Sequence, residues 1–319
     1  MQEAIGRCRL NLSGYTVLTE AASGAYQVTP VMAAMAGAAA VFAIARTTRY
    51  GSVEQIASQI ASLASVAGVT DAIKIVSTLT CDVVGGADIV TNSGHIRPID
   101  TRFVSWMKET AVIALMYEDW EYRATDVDLQ TCRSRGIRVV ATNEKHPAVD
   151  VFSFLGPMAA KLLNDAGVAV YDDRILLVCS NPFSTFIASG LNAFGGAVDS
   201  VSAVREGDVH IDYDAILIAQ TPGTEGVLDS DDIAWIARYW RASVVAIFWG
   251  DVDRDSLQAA GLHYWPLDAP APGHMGILPS DIGPEPIVRL QAGSLKAAEA
   301  ALRHRNEQFH PDHNFGTLM

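Results

Sequence analysis

The sequence predicts an α/β fold: two Rossmann-like parallel-sheet domains with an interdomain cleft. Three observations predict it. Short apolar runs alternate with helical periodicity along most of the 319 residues, the pattern of a mainly parallel sheet covered on both faces. A long apolar stretch, Val149–Leu163, interrupts the alternation, which then begins again. The length suits about two domains of roughly 150 residues each.

In order along the chain, Tyr15–Thr19 (YTVLT) reads as the first strand. Thr29 or Pro30 opens a helix through Ala36, because proline suits a first helical turn. Val41–Ala45 is the next strand. Ser52 then caps a helix, with Glu54 and Gln55 in its first turn and Ile56, Ile60, Leu63 and Ala64 at helical spacing. Ile73–Val76, Asp88–Thr91, Ala111–Met116 and Ile137–Ala141 are strands; Asp100–Met107 and Asp126–Arg135 are helices between them. Val149–Leu163 is a longer helix. The second series runs strand Ile175–Cys179, helix Ser184–Phe194, strands Val198–Val204 and Ala215–Ala219, helix Asp229–Trp240, strand Ser243–Phe248 and helix Asp253–Ala260. Proline-rich sequence fills Pro266–Pro286, and an Ala-rich helix spans Gly293–Arg305. The expected division is a substrate or catalytic domain over 1–152, a nucleotide-binding domain over 153–292, the last helix returning to the first domain, and a loose polar tail over 306–319.

Composition excludes several classes. A chain that is 50% hydrophobic and 18% charged is not disordered. A net charge of −13 with no Lys/Arg cluster argues against nucleic acid as a partner. Val28–Ala45 is long enough to span a membrane, but it is mostly Ala and is broken at Gly37; it reads as a buried helix, a turn and a strand, so no membrane partner is expected. Cys8, Cys81, Cys132 and Cys179 are scattered, which favours a reducing, cytoplasmic compartment over a disulfide or zinc scaffold. The N-terminus lacks the apolar core of a signal peptide.

Chemistry-bearing residues gather after strands, where open α/β sheets bind ligands. Ser93-Gly94-His95 follows one strand: His95 reads as a proton donor or carboxylate-orienting group, with Ser93 and Gly94 holding an anion, against a plain surface loop. Glu118-Asp119-Trp120-Glu121-Tyr122-Arg123 follows the next. Crowded carboxylates raise one another's pKa and an Arg lowers it, against a solvated helix start. Asn143-Glu144-Lys145-His146-Pro147 closes a third. The three loops converge if their strands are neighbours. Ala22–Tyr26 reads first as a tight turn and second as an anion nest. His274, between Gly273 and Met275-Gly276, sits where a ligand can approach. His310 and His313 form a weak metal-like pair.

The second half resembles the nucleotide-binding domain of the D-2-hydroxyacid dehydrogenase (formate/glycerate dehydrogenase) group. RILLVCSNPFSTFIASGLNAFGGAV has that group's strand, turn and helix followed by Ala193-Phe194-Gly195. DAILIAQTPGTEGVLDSDDIAWI and VVAIFWGDVDRDSLQAAGL resemble its later elements, and PAPGHMG its His-bearing segment. GADIVTNSGHIRPID, the run from Ala111 to Glu144, and VDVFSFLGPMAAKLL are similar to its substrate domain and linking helix. The likeness covers Gly86 to Arg305. Cys179, Asn181 and Ser184 stand where the fingerprint has glycines, Phe248-Trp249-Gly250 where it has an Arg, and Ser202 where it has an acid.

The resemblance implies an NAD(P)-dependent oxidoreductase acting on a small anionic hydroxy or keto substrate. His95 or His274 would be the acid/base, Glu118 would orient the His, and Arg123 would bind a carboxylate. Asn143, Glu144 and His146 would line the substrate site with Ser93 and Gly94. The cofactor would lie over Asn181, Pro182, Phe183, Ser184 and Thr185. Ser202 with Arg205 beyond it favours NADP over NAD. The alternatives are S-adenosylmethionine on a transferase or lyase, or a non-catalytic ligand-binding subunit. A homodimer through Val149–Leu163 is expected from the likeness.

Overall fold

A computed structural model of the chain describes residues 1–223, 228–271, 273–303 and 314–319. It divides into two compact units, Met1–Val151 with Pro284–Met319, and Phe152–Gly283.

The first unit opens with α1 (Gln2–Cys8), β1 (Thr16–Glu20), α2 (Val28–Met35) and β2 (Ala40–Ile44). The apolar run Val28–Ala45 is thus a helix, a turn and a strand. At the turn Gly37 takes φ 87°, a region open to glycine. No helix among the described residues is long and apolar enough to cross a membrane. α3 (Val53–Ala67) begins on a capping box: Gln55 N–H donates to Ser52 Oγ, and Ser52 N–H donates to Gln55 Oε1. β3 (Ile73–Val76), α4 (Cys81–Gly86), β4 (Ile89–Thr91), α5 (Thr101–Trp106), β5 (Val112–Ala114), α6 (Leu129–Ser134) and β6 (Arg138–Thr142) follow.

The second unit holds α7 (Leu155–Asp165), β7 (Arg174–Val178), α8 (Phe183–Ala193), β8 (Ala197–Val201), β9 (Ala215–Ala219), α9 (Ser230–Tyr239), β10 (Val244–Trp249), α10 (Arg254–Ala259) and β11 (Tyr264–Trp265). α7 starts later than the apolar pattern predicts. Asp150 sits at φ 52°, and a 3-10 turn occupies Phe152–Phe154. Its apolar face is spent inside the unit. α7 crosses α8 so closely that a Cβ on Gly156 would lie 2.6 Å from the Cα of Gly190. The buried residues of α7 join the core under β7, β9 and β10, so this face is not the dimer surface that the apolar run offered. The five strands are all parallel, in the order β11-β10-β9-β7-β8.

The chain then returns to the first unit through α11 (Glu285–Arg303). This helix begins inside the segment read as proline-rich loop, because Pro286 falls in its first turn, where a missing N–H costs nothing. It packs on β5 and β6, and the hydroxyls of Ser294 and Thr142 meet at 2.6 Å. Glu299, 1% exposed, accepts from Asn11 N–H and pairs with Lys296 and Arg303. The end of the chain, read as a loose tail, forms β12 (Gly316–Leu318), antiparallel to β6. The sheet order is β12-β6-β5-β4-β1-β2-β3. Without the edge strand this is the doubly wound order with one reversal, between β1 and β4, the place where such sheets bind ligands.

Candidate functional site

β4, β5 and β6 are neighbours, so the three polar loops leave the same edge of the first sheet side by side. Hydrogen bonds tie each loop to the next. Asn92, after β4, accepts Met116 N–H on its Oδ1 at 2.9 Å. Arg97 donates to Asp126 Oδ2 at 3.0 Å, and the Tyr117 hydroxyl donates to the same oxygen at 3.1 Å. Glu118 joins the β5 loop to the β6 loop: Glu144 N–H donates to its Oε1 at 3.0 Å, and the Trp120 indole donates to its Oε2 at 2.9 Å. Asn143 and His146 anchor the chain end. Asn143 donates from Nδ2 to the Asn314 carbonyl at 3.0 Å, and His146 stacks on Phe315 at 3.9 Å.

Glu118 therefore does not orient His95, as the sequence led one to expect; both of its oxygens are taken. The carboxylate beside His95 is Glu20, at the end of β1, with Oε1 3.5 Å from Nε2. Strand adjacency places it there, since β1 pairs with β4. The hydroxyls of Thr19 and Thr91 meet at 2.8 Å, and those of Thr91 and Ser93 at 2.6 Å, along the same two strand ends. Glu20 was missed because one acid closing an apolar strand carries no local signal. Asn92, Arg97 and Asp126 were missed for the same reason.

Burial sets the electrostatics. It pushes the Glu121 carboxyl up to about 7, opposed by the Glu118 N–H and the Arg123 charge and helped by the charge of Glu118. It pushes Glu144 well up, with the charges of Glu121 and Glu118 adding to it. Glu20 is raised by burial too, against the charges of His95, Arg97 and Arg46. Buried carboxyls that keep protons near neutral pH can serve as acids and bases. His146 is lowered by burial, and its Nδ1 accepts Ala148 N–H at 3.1 Å, a loop-closing role. Arg123 is exposed in the same loop as Glu121. Among the described residues no group of three or more His, Cys, Asp or Glu is arranged to hold a metal ion. His310 and His313 lie outside the described residues.

In the second unit the reversal of strand order falls between β7 and β9. The turn from β7 into α8 holds Asn181, Pro182, Phe183, Ser184 and Thr185. Asn181 Oδ1 accepts Phe183 N–H at 2.9 Å, and its Nδ2 donates to the Ala219 carbonyl at 2.8 Å, across the reversal. Ser180 donates from its N–H and hydroxyl to Gln220 Oε1, and Gln220 donates to the Ser202 carbonyl. For a dinucleotide the donor chemistry fits: hydroxyls and an amide surround a helix N-terminus at the switch point. The fit has one condition, that the Asn181 amide lets go of Ala219. Arg205 is engaged by Asp232 at 2.8 Å on the surface. Glu206 accepts the N–H groups of Ser202 and Ala203 and so puts an acid just past β8. His274 is exposed on a loop held by the Trp249 indole, which donates to the Gly273 carbonyl at 3.1 Å.

No family model matches the chain, and no curated protein matches it in sequence. Solved structures do match it in fold. The chain is similar to dipicolinate synthase from Bacillus halodurans (TM-score 0.57, 9% identity) and to dipicolinate synthase from Bacillus subtilis (TM-score 0.59, 10% identity), in each case over 93% of this chain and 100% of the other. It is also similar to NAD-dependent formate dehydrogenase from Staphylococcus aureus in complex with NAD (TM-score 0.51, 14% identity), over 93% of this chain and 97% of that one. The chain has the two-domain Rossmann fold of the D-2-hydroxyacid dehydrogenase group.

Proposed function

We propose that the protein is an NAD-dependent oxidoreductase acting on a small anionic hydroxy or keto substrate. The observation that carries this reading is the position of His95, at the β1/β4 switch point, beside Ser93 and the Glu20 carboxylate. Such a histidine can give or take the proton that accompanies hydride transfer at a carbinol carbon. The names of proteins that share the fold, an NAD-dependent formate dehydrogenase among them, point to the same reaction class.

NAD, when bound, supplies the hydride donor or acceptor. Ser180, Asn181, Ser184 and Thr185 would hold its diphosphate, and Glu206 its adenosine ribose. An acid at that place suits ribose hydroxyls and opposes a 2′-phosphate, and Arg205 is already paired, so NAD is favoured over NADP. His95 moves the substrate's hydroxyl proton at the ring nitrogen facing away from Glu20. Arg46 and Arg97 set a positive potential around that end of the sheet, and Arg123 is the cation at the Glu118–Glu121 loop.

A second reading keeps the scaffold without redox chemistry. The Asn181–Ala219 bridge favours it, because a fingerprint glycine would leave that space to a phosphate. Titration with NADH, NADPH and S-adenosylmethionine, followed by fluorescence or calorimetry, separates them. Saturable NADH binding supports the first. Binding of S-adenosylmethionine with neither nicotinamide overturns it in favour of a transferase or lyase. Binding of none overturns it in favour of a non-catalytic ligand-binding role.

A further inference from the structure

We infer that Glu20 is the positioning residue of His95: it selects the imidazole tautomer protonated at Nε2 and so assigns proton exchange with the substrate to Nδ1. The identity of that substrate, and the hydride that travels with the proton, rest on the oxidoreductase reading; the tautomer does not.

The geometry makes the pair more than a surface contact. Nε2 lies 3.5 Å from Glu20 Oε1, and the two side chains are 19% and 16% exposed. An ionised carboxylate is an acceptor only, so the nitrogen facing it is the one that carries hydrogen. The loop after β4 is built around that carboxylate. The His95 backbone N–H donates to it, and it lies directly over Gly94, where an added Cβ would come within 2.3 Å of Oε1 and 2.4 Å of Oε2. Gly94 here has an ordinary backbone conformation, so the requirement for glycine is the carboxylate above it rather than φ.

The location is the second argument. Glu20 ends β1 and His95 follows β4, the two strands between which the sheet order reverses. A base held by an orienting acid at such a point is the arrangement that proton transfer requires. In the oxidative direction the substrate O–H bond breaks and Nδ1 takes the proton. The carbinol C–H leaves as hydride to the bound nicotinamide, and the carbinol becomes a carbonyl. The imidazolium then keeps its Nε2–H against Glu20. The reductive direction is the reverse.

The test uses the full chain labelled with 15N-histidine, in alkaline buffer, with His95→Gln to assign the resonance. Wild type is expected to show His95 protonated at Nε2. Glu20→Ala is expected to give a mixture of tautomers. Glu20→Gln retains an acceptor oxygen and is expected to restore the wild-type tautomer. Gly94→Ala is expected to behave as Glu20→Ala, because its Cβ displaces the carboxylate. In turnover with the substrate class above, kcat of Glu20→Ala falls about 100-fold, while KM moves less than about threefold. A wild-type His95 protonated at Nδ1, or a tautomer unchanged in both Glu20→Ala and Gly94→Ala, overturns the inference. If the tautomer shifts as expected and NADH does not bind, the inference stands and the oxidoreductase reading fails.

Discussion

The carboxylate of Glu118, 7% exposed, accepts the backbone N–H of Glu144 at 3.0 Å, so one buried acid of the β5 loop sets the position of another in the β6 loop. The Trp120 indole takes the second oxygen. Removing the carboxylate leaves a buried N–H unpaired, which costs about 1–3 kcal/mol. Glu118→Ala is therefore expected to lose roughly 2 kcal/mol in urea unfolding, and Glu118→Gln less, since its amide oxygen still accepts. Equal stability of Glu118→Ala and wild type would refute this role.

The same acids make stability depend on pH. Burial raises Glu121 to about 7, and raises Glu144 with help from the charges of Glu121 and Glu118. Unfolded glutamate titrates near about 4.3. Between these values the native state holds a proton that the unfolded state has lost, so this contribution is full below the unfolded value and fades as pH rises through about 7. Glu121→Gln removes its share. The measurement is Tm at pH 5 and pH 8 for both proteins. Wild type is expected to drop further between the two than Glu121→Gln does; a larger drop in the variant would contradict the assignment.

The parts of this site that were legible in the sequence were those with several polar residues together after an apolar strand. Ser93-Gly94-His95, the run from Glu118 to Arg123 and the run from Asn143 to His146 all have that form, and strand adjacency brings them to one edge. Glu20 was illegible because its meaning depends on β4 lying beside β1, a pairing far apart in the chain. The start of α11 was hidden because Pro286 reads as a loop residue in a proline-rich stretch, although the first turn of a helix accepts it. β12 was hidden because it gains its order from the exposed edge of β6, not from its own polar residues.

Asn181 bridges the switch point of the second sheet through its 2.8 Å bond to the Ala219 carbonyl. Asn181→Gly removes the bridge and restores the small residue that lets a diphosphate approach. The bond's net worth is about 0.5–1.5 kcal/mol, and one unit of 1.4 kcal/mol is about tenfold in affinity. NADH is thus expected to bind Asn181→Gly about two- to tenfold more tightly than wild type in a fluorescence titration. Weaker binding would mean that Asn181 itself holds the phosphates.

Arg205 and Glu206 predict the nucleotide preference. Arg205 Nε is 2.8 Å from Asp232 Oδ1, and Glu206 caps the N–H groups of Ser202 and Ala203. NADH is expected to bind more tightly than NADPH. Asp232→Asn releases the arginine and is expected to narrow the gap. Parallel titrations with both nucleotides check this, and a wild-type preference for NADPH would refute it.

Gly316 fixes the last strand against the sheet. A Cβ there would lie 2.1 Å from the Ala141 carbonyl oxygen and 2.9 Å from the Ala297 Cβ, one in β6 and one in α11. Both are held by the core of the unit, so β12 rather than its neighbours must give way. Gly316→Ala is expected to push β12 off β6 and to free Phe315 from the ring of His146 and from the N–H of Asn143. Hydrogen exchange reads this residue by residue. The amide of Asn143, which donates to the Phe315 carbonyl at 2.8 Å, should lose protection, whereas the amide of Leu115, bonded to the Val140 carbonyl inside the sheet, should not. Protection at Asn143 equal to wild type would show that the β6 loop keeps its shape without the chain end.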